Sequence, residues 1–124
     1  MKGDTLVLGG RIVSGAGEKA SDILIRDGKV VSVGLNLPNE DVSSIIRADD
    51  KLILPGAIDA HCHPVYSDKM DDYSITAALG GVTTVIPFIG NVGAWGYTGE
   101  TAEIVKDFIE DSKRISYIDF SVHA

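Results

Sequence analysis

The sequence has a single cysteine, Cys62, so no disulfide can form within the chain. A chain without disulfides is typical of a reducing compartment, and we expect a cytoplasmic location. Residues 1–4 lead into an alternating segment rather than a charged head with a long apolar core, so no signal peptide is predicted. The longest apolar stretches, such as residues 82–89, are too short to cross a bilayer. We therefore expect no membrane partner.

Basic residues are also scarce: 11 Lys and Arg stand against 18 Asp and Glu, which gives a formal net charge of −7. A surface that binds nucleic acid needs clustered basic residues, whereas these are scattered, so nucleic acid is excluded as a partner. The hydrophobic fraction of 44% and the charged fraction of 23% indicate a globular chain rather than a disordered one.

Residues 1–52 carry short β-like runs separated by Gly and Asp. Strands are predicted at residues 5–8, 11–13, 21–26, 29–33 and 44–48. Asp27 and Gly28 lie between two hydrophobic runs, which is a strong signal for a tight hairpin. Short antiparallel strands with tight turns predict part of a small β-sandwich for this segment.

Residues 53–124 alternate between strand and helix patterns. The predicted elements are a strand over residues 52–63 interrupted by Pro55 and Gly56, a helix over 71–79 ended by Gly80 and Gly81, a strand over 82–89, a helix over 100–114 and a strand over 117–123. We expect Thr98 to cap the second helix and Glu110 to pair with Arg114. The order predicts an α/β fold with parallel strands and right-handed crossovers.

Three strands and two helices cannot close a (β/α)8 barrel, which takes about 250 residues. The sequence ends inside or just after a strand, where an unpaired apolar edge would be left. We therefore expect residues 53–124 to be the N-terminal part of a TIM (β/α)8 barrel, its first three strands, and the whole sequence to be a fragment of a longer protein.

His61 and His63 are the candidate metal ligands. Side chains alternate along a strand, so Asp59, His61 and His63 are expected on one face, which in a barrel is the lumen, and Cys62 on the other. Barrel enzymes place their active sites at this C-terminal end of the strands, and two neutral imidazoles there can bind one metal ion. A chance pair on a surface strand is the alternative, but the apolar strand and the β-α pattern that follows it favour the metal site.

Four further residues are candidates near the site. Asp59 either orients an imidazole or, as we slightly favour, is satisfied by backbone donors. His123 either contacts the site or, as we favour, packs inside the barrel. Trp95 and Tyr97, in the loop after the second barrel strand, either shape a substrate pocket or cover the top of the barrel. Cys62 is expected to be a small buried hydrophobe. Catalytic groups are expected beyond residue 124.

Five segments carry a resemblance to a known family. VLGGRIV (residues 7–13), DILIRDGKV (22–30) and LPGAIDAHCH (54–63) resemble the opening of the amidohydrolase superfamily. AALGGVTT (77–84) and DFSVH (119–123) are similar to its cyclic-amidase branch, which includes hydantoinase, dihydropyrimidinase, allantoinase and dihydroorotase. The resemblance covers nearly the whole chain.

This resemblance implies a metal-dependent hydrolase of cyclic amide C–N bonds, of the hydantoin or dihydropyrimidine type. It implies two Zn²⁺ ions, with other divalent metals open, a small cyclic amide as substrate, and a homo-oligomer that is a tetramer in the full-length family. His61 and His63 would bind the more buried ion. A carboxylated lysine, two further histidines and an aspartate would come from later strands, so the fragment alone is expected to be inactive.

Three departures from the family pattern bear on the substrate. Cys62 stands between the histidines where the branch has another residue, a harmless change on the outer face. Residues 64–67 follow His63 where a hydantoinase loop is often longer, and Pro87 stands where many relatives carry an acidic residue, so the substrate is left open. The alternatives are allantoinase, dihydroorotase or N-acyl amino acid deacylase chemistry, and a non-catalytic hydantoinase-like scaffold. Retention of both His61 and His63 argues against the scaffold.

Overall fold

The computed structural model describes residues 3–63, 69–91 and 97–124. The chain divides into two compact units, Met1–Pro55 and Gly56–Ala124, each with its own sheet, and the fold is mixed α/β. No helix within the described ranges has the length and apolar character needed to span a membrane. Trp95 lies outside the described residues.

The first unit is a five-stranded sheet built around its first strand. Its strands are β1 (Thr5–Ser14), β2 (Gly17–Arg26), β3 (Lys29–Gly34), β4 (Ser44–Arg47) and β5 (Leu52–Ile53). The order is β3-β2-β1-β4, and β5 also pairs with β1. The β1–β2 and β2–β3 pairs are antiparallel as expected, whereas β4 and β5 pair with β1 in parallel. The sheet is therefore mixed: β4 reaches β1 through the connection at residues 35–43, and β5 follows further along β1 in the same direction.

β1 is a single strand where the sequence predicts two. Gly9 takes a left-handed conformation with φ +81°, and the register with β2 shifts between Val7 and Gly10. The chain therefore bulges at the glycines instead of leaving the sheet. The buried carboxylate of Asp22 accepts the backbone N–H of Gly9 at 3.0 Å and that of Leu37 at 3.3 Å, and so ties the bulge to the segment after β3.

The turn between β2 and β3 is the predicted hairpin. Asp27 and Gly28 have φ values of +50° and +75°, so both central residues are left-handed, as a two-residue type I′ turn requires. Arg26 and Lys29 pair directly on either side of the turn. The Asp-Gly signal therefore fixes the connection between these two strands.

The second unit alternates parallel strands with helices. Its elements are β6 (Ala57–Cys62), α1 (Met70–Leu79), β7 (Val82–Pro87), α2 (Thr101–Ile115) and β8 (Asp119–Phe120). The sheet order is β6-β7-β8, and both pairs are parallel, so the predicted β-α-β-α-β order is confirmed. β8 is shorter than predicted, and the chain meets the sheet again only through a parallel bridge between His123 and Phe88.

Two predicted details of α2 are wrong. Glu100 is the N-cap residue, without a side-chain cap hydrogen bond, so Thr98 lies too far ahead of the first turn to cap it. Arg114 forms its ion pair with Asp111 at 2.9 Å instead of Glu110. Residues three and four positions apart are both neighbours on a helix surface, so the spacing alone cannot decide between these partners.

The core of the second unit lies between the sheet and the two helices. Its buried apolar residues are Cys62, Met70, Val85, Ile89, Ile104 and Phe108. They come from β6, from the segment around β7 and from both helices, so α1 and α2 cover one face of the sheet together. This packing leaves the ends of the strands free to present polar side chains.

Candidate metal centre

Two imidazoles lie side by side where β6 ends. The Nε2 atoms of His61 and His63 are 3.2 Å apart, and the ring centroids are 4.9 Å apart with an angle of 78° between the planes. His61 is exposed and His63 is partly buried. Because side chains two residues apart on a strand point the same way, the sequence spacing already predicts that these rings meet.

The distance between the two nitrogens fits a shared metal ion. Zinc binds imidazole nitrogen at about 2.0–2.1 Å, and tetrahedral geometry then places two such nitrogens about 3.3 Å apart. The observed 3.2 Å between His61 and His63 needs no rearrangement to reach that value. Without metal, the same distance suits an N–H···N hydrogen bond, in which one ring donates and the other accepts. We call these two rings the candidate chelate, because their nitrogens are spaced as a shared metal ion would require.

The candidate chelate is incomplete within the part of the chain that the structure describes. There, no group of three or more His, Cys, Asp or Glu side chains is placed to hold a metal ion. Stable zinc sites use three or four protein ligands. His61 and His63 can therefore supply two ligands of a site, and further ligands must be added to complete it.

An aromatic ring and a third histidine adjoin the candidate chelate. The Phe88 ring lies 5.9 Å from that of His61 and 5.7 Å from that of His63, measured between centroids. The His123 ring lies 6.2 Å from that of His61 and 5.6 Å from that of Phe88. The structure therefore brings His123 to the histidine pair. Phe88 was not predicted near the site. Its position at the end of the strand expected to lie beside the ligand strand could have indicated that its ring meets the histidines.

Asp59 connects the ligand strand to α1. Its Oδ1 accepts the backbone N–H of His61 at 3.1 Å, and its Oδ2 accepts the Tyr73 hydroxyl at 3.4 Å. The register between β6 and β7 shifts between Asp59 and Cys62, so the strand is irregular there. Strict alternation would keep the carboxylate beside the imidazoles, but here it bonds to the N–H two residues on and to Tyr73, where the register with β7 shifts. No pattern in the sequence indicated Tyr73 as a partner of Asp59.

Cys62 lies on the opposite side, in the core. Its side chain is 8% exposed, and burial raises the pKa of the thiol. Burial also raises the pKa of the Tyr73 hydroxyl, which interacts with the same thiol. Both groups therefore keep their protons at neutral pH. A protonated, buried thiol is neither a metal ligand nor a nucleophile, which matches the expectation of a small buried hydrophobe.

Tyr97 packs against α2. Its ring centroid is 5.9 Å from that of Phe108, and its hydroxyl donates to Asp111 at 3.4 Å. Burial raises the pKa of Tyr97, so its hydroxyl stays protonated at neutral pH. These contacts favour a covering role for Tyr97 over a role in a substrate pocket.

Curated proteins similar to this chain are cyclic amide hydrolases by name. The chain is 36% identical over 89 residues to the L-hydantoinase of Paenarthrobacter aurescens, covering 67% of the chain and 19% of that protein. It is 40% identical over 91 residues to the dihydropyrimidinase of Rattus norvegicus, covering 65% and 18%. The chain thus spans about a fifth of the length of the curated relatives it matches. No protein-family model matches it.

Solved structures agree with these sequence matches. The L-hydantoinase from Arthrobacter aurescens superposes with a TM-score of 0.82 at 27% identity, covering 97% of this chain and 27% of that one. The dihydropyrimidinase from Brevibacillus agri superposes with a TM-score of 0.82 at 25% identity, covering 97% and 26%. The mixed α/β arrangement of this chain is therefore that of a segment of these enzymes.

Proposed function

We propose that this chain, an amidohydrolase fragment related to hydantoinases and dihydropyrimidinases, supplies the first two metal ligands of a hydrolase that cleaves C–N bonds of cyclic amides. The observation that carries the proposal is the 3.2 Å separation of the Nε2 atoms of His61 and His63 where β6 ends. That distance matches two imidazoles on one tetrahedral ion.

The proposed setting of this site is a (β/α)8 barrel that begins with β6, β7 and β8. The three strands are parallel and alternate with helices, as in the first units of such a barrel. His61 and His63 then lie at the C-terminal end of the first barrel strand, where barrel enzymes bind their substrates. We propose the domain division 1–52 and 53–124, with the sheet of β1–β5 as one layer of a small β-sandwich.

His61 and His63 would hold a divalent ion, most simply zinc, through their neutral Nε2 atoms. The ring protons of His61 and His63 then reside on Nδ1. When bound, such an ion polarises a carbonyl group and lowers the pKa of water. Phe88 packs beside both rings and limits their rotation. A second ion, a carboxylated lysine and a proton-shuttling aspartate would be supplied by the proposed longer protein, as the family resemblance implies, and we also propose that this protein is a homo-oligomer.

The proposed substrate is a small cyclic amide of the hydantoin or dihydropyrimidine type. Relatives named for other cyclic amides also match the chain, among them a dihydroorotase of Halalkalibacterium halodurans, 37% identical over 87 residues. The test is therefore hydrolysis of hydantoin and dihydrouracil, compared with dihydroorotate and allantoin, by the protein that joins this chain to the remaining strands. Preference for dihydroorotate or allantoin would replace the proposed substrate but keep the reaction class.

The ligand assignment can be tested on the chain itself with Co²⁺, which takes zinc sites and has visible absorption bands. We expect His61→Ala and His63→Ala each to abolish the bands that develop as Co²⁺ is added to the unaltered chain. His123→Ala is the matched control, since it removes a neighbouring imidazole and should leave the bands in place. Bands that persist in both His61→Ala and His63→Ala would overturn the assignment.

A further inference from the structure

Asp59 is the point at which the ligand strand is tied to the neighbouring helix. One carboxylate oxygen accepts the backbone N–H of His61 at 3.1 Å, and the other accepts the Tyr73 hydroxyl at 3.4 Å. We propose that Asp59 is a positioning residue that sets the orientation of His61, and that Tyr73 holds Asp59 in place. The inference rests on the proposed function, because the orientation matters through the metal that His61 and His63 share.

The bond to His61 acts on the backbone and not on the imidazole. It closes a ring between the Asp59 side chain and an N–H two residues later, which restricts the backbone dihedrals between them. The register of β6 with β7 shifts between Asp59 and Cys62, which is where this hydrogen-bonded ring lies. The local bond therefore decides where the His61 side chain leaves the strand.

The Tyr73 hydroxyl supplies the fixed point for this arrangement. Tyr73 belongs to α1 and packs against the core of the second unit. Its hydroxyl donates to the Asp59 carboxylate at 3.4 Å, so α1 holds the ligand strand two residues before His61. A displacement of α1 would therefore change the position of His61 through the Asp59 carboxylate, which bonds to both.

Three variants separate positioning from general stabilisation of the strand. Asp59→Ala removes both hydrogen bonds. Asp59→Asn keeps an oxygen that accepts the His61 N–H and an amide that can donate to the Tyr73 hydroxyl. Tyr73→Phe keeps the aromatic ring in the core and removes only the hydroxyl. Asp119→Ala, which removes an exposed carboxylate from β8, is the matched control.

The first readout is NMR of the metal-free chain. The unaltered chain should give a nuclear Overhauser effect between ring protons of His61 and His63, whose centroids are 4.9 Å apart. We expect Asp59→Ala to lose that signal and to shift the amide proton of His61 upfield, while Asp59→Asn and Asp119→Ala keep both. Tyr73→Phe should weaken the signal without abolishing it. Asp59→Asn and Tyr73→Phe hardly change the volume of the side chain. If Asp59→Ala does not fold, these two variants therefore test whether Asp59 positions His61.

The second readout is Co²⁺ affinity. Residues that orient metal ligands change metal affinity by about 10- to 100-fold, so we expect a loss of about tenfold for Asp59→Ala and about threefold for Tyr73→Phe. Asp59→Asn should stay within about twofold of the unaltered chain, since it can keep a hydrogen bond to His61 N–H and one to the Tyr73 hydroxyl, the latter with its direction reversed. Thermal unfolding of each variant reports any loss of fold.

The outcomes separate this inference from the proposed function. Asp59→Ala that keeps both the ring-to-ring signal and the Co²⁺ affinity overturns the positioning role, as does Asp59→Asn that loses as much as Asp59→Ala while remaining folded. If Co²⁺ binding instead proves independent of His61 and His63, the proposed metal site fails. The NMR comparison of the Asp59 variants would still decide whether this carboxylate orients His61.

Discussion

The side chain of Ser74 on α1 accepts a hydrogen bond from the backbone N–H of Tyr117, 43 positions later in the chain, at 3.1 Å. The same hydroxyl donates to the carbonyl of Asp71 at 3.0 Å, and Ser74 is fully buried. One small polar group thus joins the first helix of the second unit to the segment that leads into β8.

Replacement of Ser74 by Ala should destabilise the second unit, because the N–H of Tyr117 loses its partner. An unpaired buried donor costs about 1–3 kcal/mol in the free energy of unfolding. Urea unfolding followed by the fluorescence of the single tryptophan would measure the change. Thr76→Ala is the control on the same helix, since its exposed hydroxyl bonds only within the helix and its removal should cost less than about 0.5 kcal/mol. Equal effects of the two variants would contradict this role for Ser74.

Gly56 directly precedes β6, and there is no room at this position for a side chain. A Cβ atom at this position would overlap the side chain of Thr83 on β7. We expect Gly56→Ala to lower the free energy of unfolding by about 1–3 kcal/mol, as overpacking does. At Gly90 the nearest atom to an added Cβ is 3.8 Å away, so Gly90→Ala should be tolerated in the same urea experiment. A tolerated Gly56→Ala would show that β6 and β7 can move apart here at little cost.

Zinc should bind the isolated chain weakly, because His61 and His63 provide two ligands where stable sites use three or four. We expect a Kd above about 1 μM, which corresponds to a binding free energy smaller than about 8 kcal/mol. Isothermal titration calorimetry would measure it. Tight one-to-one binding would mean that another residue completes the site, and the His123→Ala variant would identify the nearest imidazole as that residue or exclude it.

The ion pair of Asp4 and Arg26 should make the free energy of unfolding of the first unit depend on pH. The guanidinium of Arg26 donates to the Asp4 carboxylate at 2.6 and 2.9 Å, and this hydrogen bond lowers the pKa of Asp4. A carboxyl group with a lower pKa in the folded state stabilises the fold above its unfolded pKa of about 3.9, and that contribution is lost as the pH falls through the folded value.

The stability advantage of the unaltered chain over Asp4→Asn should therefore be small at neutral pH, begin to fall below about pH 4 and vanish once the pH is below the folded pKa of Asp4. Thermal unfolding of both chains between pH 7 and pH 3 would measure this difference. A difference that stays constant down to pH 3 would mean that the Asp4 carboxylate contributes nothing through its charge.

Local signals in the sequence predicted local features well. The Asp27–Gly28 turn and the spacing of His61 and His63 depend only on neighbouring residues, and the structure has them as expected. The parallel pairing of β4 with β1 was not predicted, because it depends on where the connection after β3 returns the chain. No periodicity in the sequence encodes that return.

The surroundings of the candidate site were harder to predict for the same reason. The contact of Asp59 with Tyr73 depends on how α1 packs over β6, and the approach of Phe88 to both imidazoles depends on the register between β6 and β7. Alternation along one strand says which side chains share a face. It does not say which residues of other elements they meet.

Cys62 is the only thiol in the chain, and it is 8% exposed between the two candidate ligands. A thiol reagent reaches a thiol this deeply buried when the core around it opens. The rate at which Cys62 is modified therefore measures how often this region opens. Amide hydrogen exchange measures local opening in the same way, whereas the thiol reports it at a single known position. The chain thus has a built-in chemical reporter of local opening beside the histidines, and no label has to be introduced to use it.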